Sequence, residues 1–249
     1  MLFISCLQIC PILILMITTV AIMQPTYLPW IGYFDLMDQA DCFVFLDSVQ
    51  FNRRSWQQRN RIKGPDGEIM LTVPVLSKGK RHQLICDVEI DSMTNFSQKH
   101  LKAIYHNYKK ASFFSAYYQG FSEILGKPHK LLCDLNIEIT HWFMEQLGIQ
   151  CETVRSSSLN VSGAKAKLLY NICQQIGGSV YLSAEGSKEY IEQNNPFQEG
   201  EIGLIYHDFQ HPEYNQLFGS FIPYLSVLDL LLNEGTFSLN IIRSGRKNR

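Results

Sequence analysis

A chain of 249 residues with 46% hydrophobic content can bury a sizeable core in one large domain or two small ones, which excludes a disordered polypeptide. Lys and Arg (22) nearly balance Asp and Glu (23), so no global field holds a polyanion or an anionic bilayer, and nucleic acid is not a favoured partner. Seven cysteines, none in a CxxC pair, point away from zinc and thioredoxin-type chemistry and suit reduced thiols in the cytoplasm.

Met1 to Val20 carries no charge and is almost wholly apolar, a length that fits a membrane span or a signal sequence. It lacks a basic start, Pro11 interrupts it, and no small-x-small cleavage site precedes Ala21. Residues 1–15 are therefore expected to be a spurious leader or an anchor, with Met16 as an alternative start. A membrane is a partner only if residues 1–20 are a real anchor. Residues 16–249 are expected to form a single α/β domain.

Ile17 to Met23 is β-branched and apolar on both faces, as in a buried parallel strand. The QPTYLP segment turns the chain, because each proline fixes its own φ and keeps the preceding residue out of the helical region. Trp30–Ala40 then reads as a short helix and Cys42–Leu46 as a second strand. This opening predicts a mostly parallel, Rossmann-like sheet with flanking helices, in which ligands sit beyond the carboxyl ends of the strands. Gly64-Pro-Asp-Gly67 is a turn that makes a hairpin with Ile69–Val75, and Gln83–Ile90 alternates like another strand. The period becomes helical over about residues 93–148, giving an insert of three helices whose aromatic stripe reads as core. Ile149–Val154 and Ser179–Ser183 read as strands around a helix at Gly163–Ile176. A small-residue turn at Ser183 to Gly186 opens a short helix to Ile191, Glu201–Phe209 is a strand, and Ser226–Asn233 is a helix.

Chemistry concentrates between Ala21 and Lys63. Gln24, Tyr27, Trp30, Asp47, Gln50, Arg53, Arg54, Trp56, Gln57, Gln58, Arg59, Asn60 and Arg61 crowd hydrogen-bonding and stacking groups into one block. Four arginines so close together cannot all be buried unpaired, and forked guanidinium donors suit phosphate or carboxylate. Arg54, Arg59 and Lys63 are the expected phosphate holders, and Trp30 and Trp56 the ring stackers. Asp47, at a strand end, has three readings: a base, a magnesium ligand, or a partner for one of these arginines. The turn at Ser183 and Gly186 could add backbone amides for an anion. No set of residues with metal-ligand spacing stands out, and no Ser-His-Asp or Cys-His order is legible, so covalent catalysis is not favoured. The cofactor is left open, with Mg2+ or a nucleotide as the options.

The strings QPTYLPWIGYFD, FLDSVQF, RSWQQRNRIK, LTVPV, YLSAEGSKEYI and YNQLFGSFIPYLSVLDLLLNEG together resemble the WbqC-like family from about Met23 onward. Members of that family occur among genes for bacterial O-antigen synthesis, and glycyl or other aminoacyl transfer onto an amino sugar has been proposed for one. The resemblance implies a transferase acting on a nucleotide-linked or anionic sugar, with a nucleotide sugar or aminoacyl donor as its small-molecule partner. Gln24, Tyr27, Gln50 and Asn60 join the expected substrate site, Tyr214, Gln216 and Asp229 complete its far wall, and Asp47, Arg54 and Arg59 carry the expected catalytic roles. Family members often carry two adjacent acids where this chain has Asp47-Ser48, which argues against a two-carboxylate metal site. The opening is also similar to that of HIGH-type nucleotidyltransferases, although the HxGH histidines and a KMSKS-like string are missing.

Overall fold

The computed structural model describes residues 18–247, so the apolar leader and the two candidate starts lie outside the described residues. Thr19–Met23 forms β1, Ile31–Asp38 forms α1, and Cys42–Phe45 forms β2. Arg59–Gly64 (β3) and Gly67–Thr72 (β4) pair as an antiparallel hairpin, closed by Pro65 and Asp66 between Gly64 and Gly67. Three helices follow, Phe96–Tyr108 (α2), Phe114–Gly126 (α3) and Leu132–Leu147 (α4), matching the predicted helical insert. The chain continues through Glu152–Arg155 (β5), Lys165–Ile176 (α5), Val180–Ser183 (β6), Lys188–Glu192 (α6) and Gly203–Tyr206 (β7). It ends in Val227–Glu234 (α7) and Ser238–Ser244 (α8). Gly148 and Gly177 take left-handed φ values of 74° and 78° where α4 and α5 stop, a conformation glycine adopts without a Cβ penalty.

The main sheet has the order β5-β2-β1-β6-β7, with every neighbouring pair parallel. Both faces are covered, which is why the strands are apolar without alternation. Val20, Ile22, Cys42 and Val44 pack toward Leu169, Ile172 and Cys173 of α5. Ala21, Phe43 and Phe45 face the larger core built on α1, α4 and α7. Strands added after β1 run outward on one side through β2 and β5, and on the other through β6 and β7. The order therefore reverses between β1 and β6, and the crevice of a doubly wound sheet opens beyond the carboxyl ends of those two strands.

Two local expectations are corrected. Gln83–Ile90 is not a strand: Ile85–Asp87 forms a 3-10 turn, and Leu84, Glu89 and Ile90 make only isolated bridges to Gln50, Leu131 and Val75. Burial on one side of an irregular loop produced the alternation. β4 stops at Thr72, one residue before Val73 and the ring of Pro74, which has no N–H to extend a ladder. Helix α8 had no counterpart in the sequence reading, since Gly235 marks a stop and the seven residues of α8 are too few to show a period.

Candidate functional site

The carboxyl end of β1 leads into the QPTYLPW loop, and that loop floors a cleft with two adjoining chambers. Met23, Thr26 and Trp56 line both. The first chamber, of about 290 Å³, is walled by the rings of Trp30, Tyr33, Trp56 and Tyr224, with Asn60 and Arg61 as its polar groups. Trp30 packs edge-on to Phe209 at 5.7 Å and stacks against His211 at 6.1 Å. Its indole folds across Gly32, where a Cβ would lie 2.2 Å from the ring, so only glycine fits there. Arg61 donates from Nη1 to Glu68 (2.7 Å) and from Nη2 to the Tyr224 carbonyl (3.2 Å), and its guanidinium lies 5.2 Å from the Trp56 ring.

The second chamber, of about 330 Å³, lies at the β1–β6 reversal. Gln24, Ser55, Gln57, Ser187 and Tyr190 give it amides and hydroxyls over an apolar floor of Ile22, Leu46 and Leu169. Gln57 Nε2 donates to Gln24 Oε1 at 2.7 Å, and Gln57 Oε1 accepts from the Asn52 amide at 3.0 Å, so both amides are held in fixed orientation. No carboxylate, imidazole or thiol lines either chamber. Three non-glycine residues with left-handed φ sit on the segments that shape the cleft: Leu28 (48°), Arg54 (59°) and Tyr224 (60°). Such conformations cost about 1–3 kcal/mol each and concentrate where surrounding structure holds a site in place.

Of the residues expected from sequence, Gln24, Trp30, Trp56 and Asn60 meet in this cleft. Ser183 precedes and Gly186 lies within the Ala184–Ser187 wall, and neither lines the chamber; Ser183 is buried and its hydroxyl donates to the Ala184 carbonyl at 3.3 Å. Arg54 is exposed, with its backbone N–H bonded to Gln58 Oε1, and Arg59 begins β3 with a buried Nε that has no partner. Gln50 points elsewhere, to the Arg81 carbonyl. Tyr27 is a core residue whose hydroxyl bonds His100 Nδ1 at 2.8 Å, and burial pushes its phenol far up.

Asp47 lies in a closed network away from both chambers. Its carboxylate accepts from Arg155 Nε (2.7 Å), the Ser157 amide (2.8 Å) and the hydroxyls of Ser156 and Ser157. Burial pushes its carboxyl up, but the Arg155 and Ser157 donors outweigh that and hold it below the usual aspartate range. The arginine it pairs with comes from β5, not from the 53–61 cluster. Lys63 is buried, with Nζ donating to the Ser220 carbonyl at 2.6 Å; desolvation lowers its pKa while Asp229 opposes the shift. Asp229 accepts from Tyr108 (2.7 Å) and Tyr214 (2.9 Å), and burial raises its pKa despite those bonds. Gln216 staples its own loop through the Ile222 backbone. Lys63, Tyr214, Gln216 and Asp229 thus brace the loop that delivers Tyr224.

Sequence reasoning missed Thr26, Tyr33, Ser187, Tyr190 and Tyr224 as cleft residues. Thr26 and Tyr33 carry a usable signal in their nearness to Gln24 and Trp30. Tyr224 has none, because it reaches the site only through a tertiary contact between Trp30 and Ser226. Among the described residues, no group of three or more His, Cys, Asp or Glu is placed to hold a metal ion.

A parallel sheet with a two-chambered crevice at its reversal point defines a Rossmann-like α/β protein, and that crevice is its candidate site. The sequence profile of the WbqC-like protein family matches residues 24–241, and the chain belongs to that family. It is 35% identical over 230 residues to "Uncharacterized protein Rv1507c" of Mycobacterium tuberculosis, a match covering 92% of this chain and 99% of the relative. No solved structure matches it significantly. No helix among the described residues is long and apolar enough to cross a membrane.

Proposed function

We propose that this protein is a cytoplasmic transferase that binds a nucleotide-linked or otherwise anionic sugar and moves a glycyl or other aminoacyl group onto an amino sugar during assembly of a bacterial surface polysaccharide such as O-antigen. The observation that carries the reading is the pair of chambers meeting at Trp56, one aromatic with a guanidinium, the other rich in amides and hydroxyls. Two chambers suit two substrates held end to end. Their lack of acids, imidazoles and thiols fits a reaction whose nucleophile comes with the substrate. An uncharged acceptor amine attacks the carbonyl carbon of an activated aminoacyl ester, a C–N bond forms, the C–O bond breaks, and the amine proton leaves with the departing oxygen. Such a step asks the protein for positioning above all. The described cysteines, Cys42, Cys86, Cys133, Cys151 and Cys173, are all free thiols, which supports a reducing compartment.

The same absence of carboxylates, imidazoles and thiols supports a second reading, a non-catalytic sugar- or nucleotide-binding protein. Incubating the purified protein with amino sugars and glycyl donors, followed by mass spectrometry, separates the two. A mass gain of one aminoacyl residue on the sugar supports transfer. Binding by calorimetry with no mass gain leaves the binding protein, and no binding of any nucleotide sugar removes both.

A further inference from the structure

Resting on that reading of the cleft, we propose that Arg61 recognises a phosphate of the ligand in exchange for Glu68, and that Arg59 extends the grip to a second phosphate, so that the ligand class is a nucleoside diphosphate and its sugar conjugates. The hairpin sets up the arrangement. Side chains alternate along a strand, so Arg59, Arg61 and Lys63 share one face of β3, opposite Thr72, Met70 and Glu68 of β4. Lys63 is already consumed by the carbonyls of Gly219 and Ser220. Arg59 and Arg61 remain, two residues and about 6.6 Å apart along the strand, a spacing that suits two linked phosphates.

Arg61 sits at the polar end of the aromatic chamber with its donors only partly used. Nη1 meets Glu68 and Nη2 the Tyr224 carbonyl, while Nε is buried with no partner. Arg59 lines neither chamber but lies on the same face of β3 two residues from Arg61, with its Nε buried and unpartnered as well. The Nε atoms are buried, so a phosphate would meet the guanidinium at its Nη ends, where forked charge-assisted bonds are strong. The Arg61–Glu68 pair is wet, with the glutamate side chain 38% exposed, so it contributes little and yields to a doubly charged anion. Glu68 then acts as an internal placeholder that keeps Arg61 aimed across Trp56 until the ligand arrives. The aromatic walls of this chamber would take a planar base, with the diphosphate leaving along β3.

The test is calorimetry on wild-type protein and the variants Glu68→Gln, Arg61→Gln and Arg59→Gln. Each is titrated with UDP-N-acetylglucosamine, its ADP-, GDP- and dTDP-linked counterparts, and the four parent nucleosides. For the nucleotide sugar that wild type accepts, Glu68→Gln is expected to bind about 2- to 5-fold tighter. Arg61→Gln is expected to bind at least about 10-fold weaker, Arg59→Gln weaker also, and nucleoside affinity should stay level throughout. Glu68 lies on an exposed hairpin strand, so its variant reads the exchange even if Arg61→Gln unfolds. Wild-type binding that neither Glu68→Gln nor Arg61→Gln alters overturns this assignment and leaves the site itself standing. Absence of wild-type binding to every nucleotide sugar overturns both.

Discussion

Asp47 and Arg155 stand 108 positions apart in sequence and meet at 2.7 Å, joining the end of β2 to the end of β5 on the carboxyl edge of the sheet. Arg155 also reaches Asp134 at 2.7 Å, so the pair ties α4 to the same edge. Every oxygen of Asp47 is engaged, which describes a brace and leaves no lone pair aimed at a substrate.

Asp47→Asn is therefore expected to lose about 2–3 kcal/mol of stability, since Arg155 keeps Asp134 and partial access to water. Ligand affinity of the folded variant should hold. Urea unfolding beside calorimetry checks this. A variant with wild-type stability and lost binding would restore Asp47 to the site. The pH sign follows from its lowered pKa: the stabilisation is present above the unfolded value near ~3.9 and is lost as pH falls through the lower folded value.

Lys63→Met removes the ammonium that holds the Gly219 and Ser220 carbonyls and takes a positive charge from beside Asp229. The loop carrying Tyr224 should loosen, at a cost of about 1–3 kcal/mol, and limited proteolysis should cut within residues 213–224 faster than in wild type. Equal cleavage rates would mean that the Gln216 staple alone holds the loop.

These two cases show what the sequence carried and what it did not. The sheet was legible because β1, β2 and β6 are continuous apolar runs and Gly148 and Gly177 mark helix ends. The Gln24–Asn60 half of the cleft was legible because amides and tryptophans crowd into one block, although Gln57, Gln58 and Asn60 are themselves buried and spend their side-chain bonds on Asn52, Val73 and Leu28. Charge partners were not, since nothing in the 53–61 cluster reveals that Asp47 will choose Arg155 from β5, or that Lys63 will be roofed by residues 219–220. Asp35 makes the same point: it is buried in α1, and His207 and Arg246, at 2.7 Å and 2.6 Å, reach it from the far end of the chain. Pairings across more than a hundred residues are written by the topology, and local pattern carries no trace of them.

His100 yields a pH prediction. Its Nδ1 meets the Tyr27 hydroxyl and its ring donates to the Thr72 backbone, so the neutral ring is satisfied inside the core. Desolvation pushes its pKa down from about 6.5 to about 4. The unfolded chain then binds the proton more readily, so stability falls as pH drops from about 6.5 to about 4, by up to roughly 3 kcal/mol. Denaturant titrations at pH 7 and pH 5 should show the slope in wild type and a shallower one in His100→Gln, above the range where Asp47 begins to titrate, with the remainder carried by groups such as His141 and His211, whose pKa values burial also lowers. An unchanged slope in His100→Gln would assign it to another group.

Trp30 and Trp56 face the same chamber with different backing, and that difference separates packing from recognition. Trp30 is held by Phe209, His211 and Tyr224 and folds over Gly32, whereas Trp56 is 48% exposed and braced on one side by Arg61. Trp30→Ala should cost about 2–3 kcal/mol, below the full value for a buried tryptophan, because its ring is only partly buried and lines the cleft. Trp56→Ala should cost less than about 1 kcal/mol. Stacking of a ring is worth about 1–3 kcal/mol per contact, so both variants should bind the accepted nucleotide sugar roughly 5- to 150-fold more weakly. Thermal melts and calorimetry on the two proteins give the comparison. Trp56→Ala with unchanged melting and unchanged affinity would remove Trp56 from the site, and the division between the chambers would then rest on Thr26 and Met23 alone.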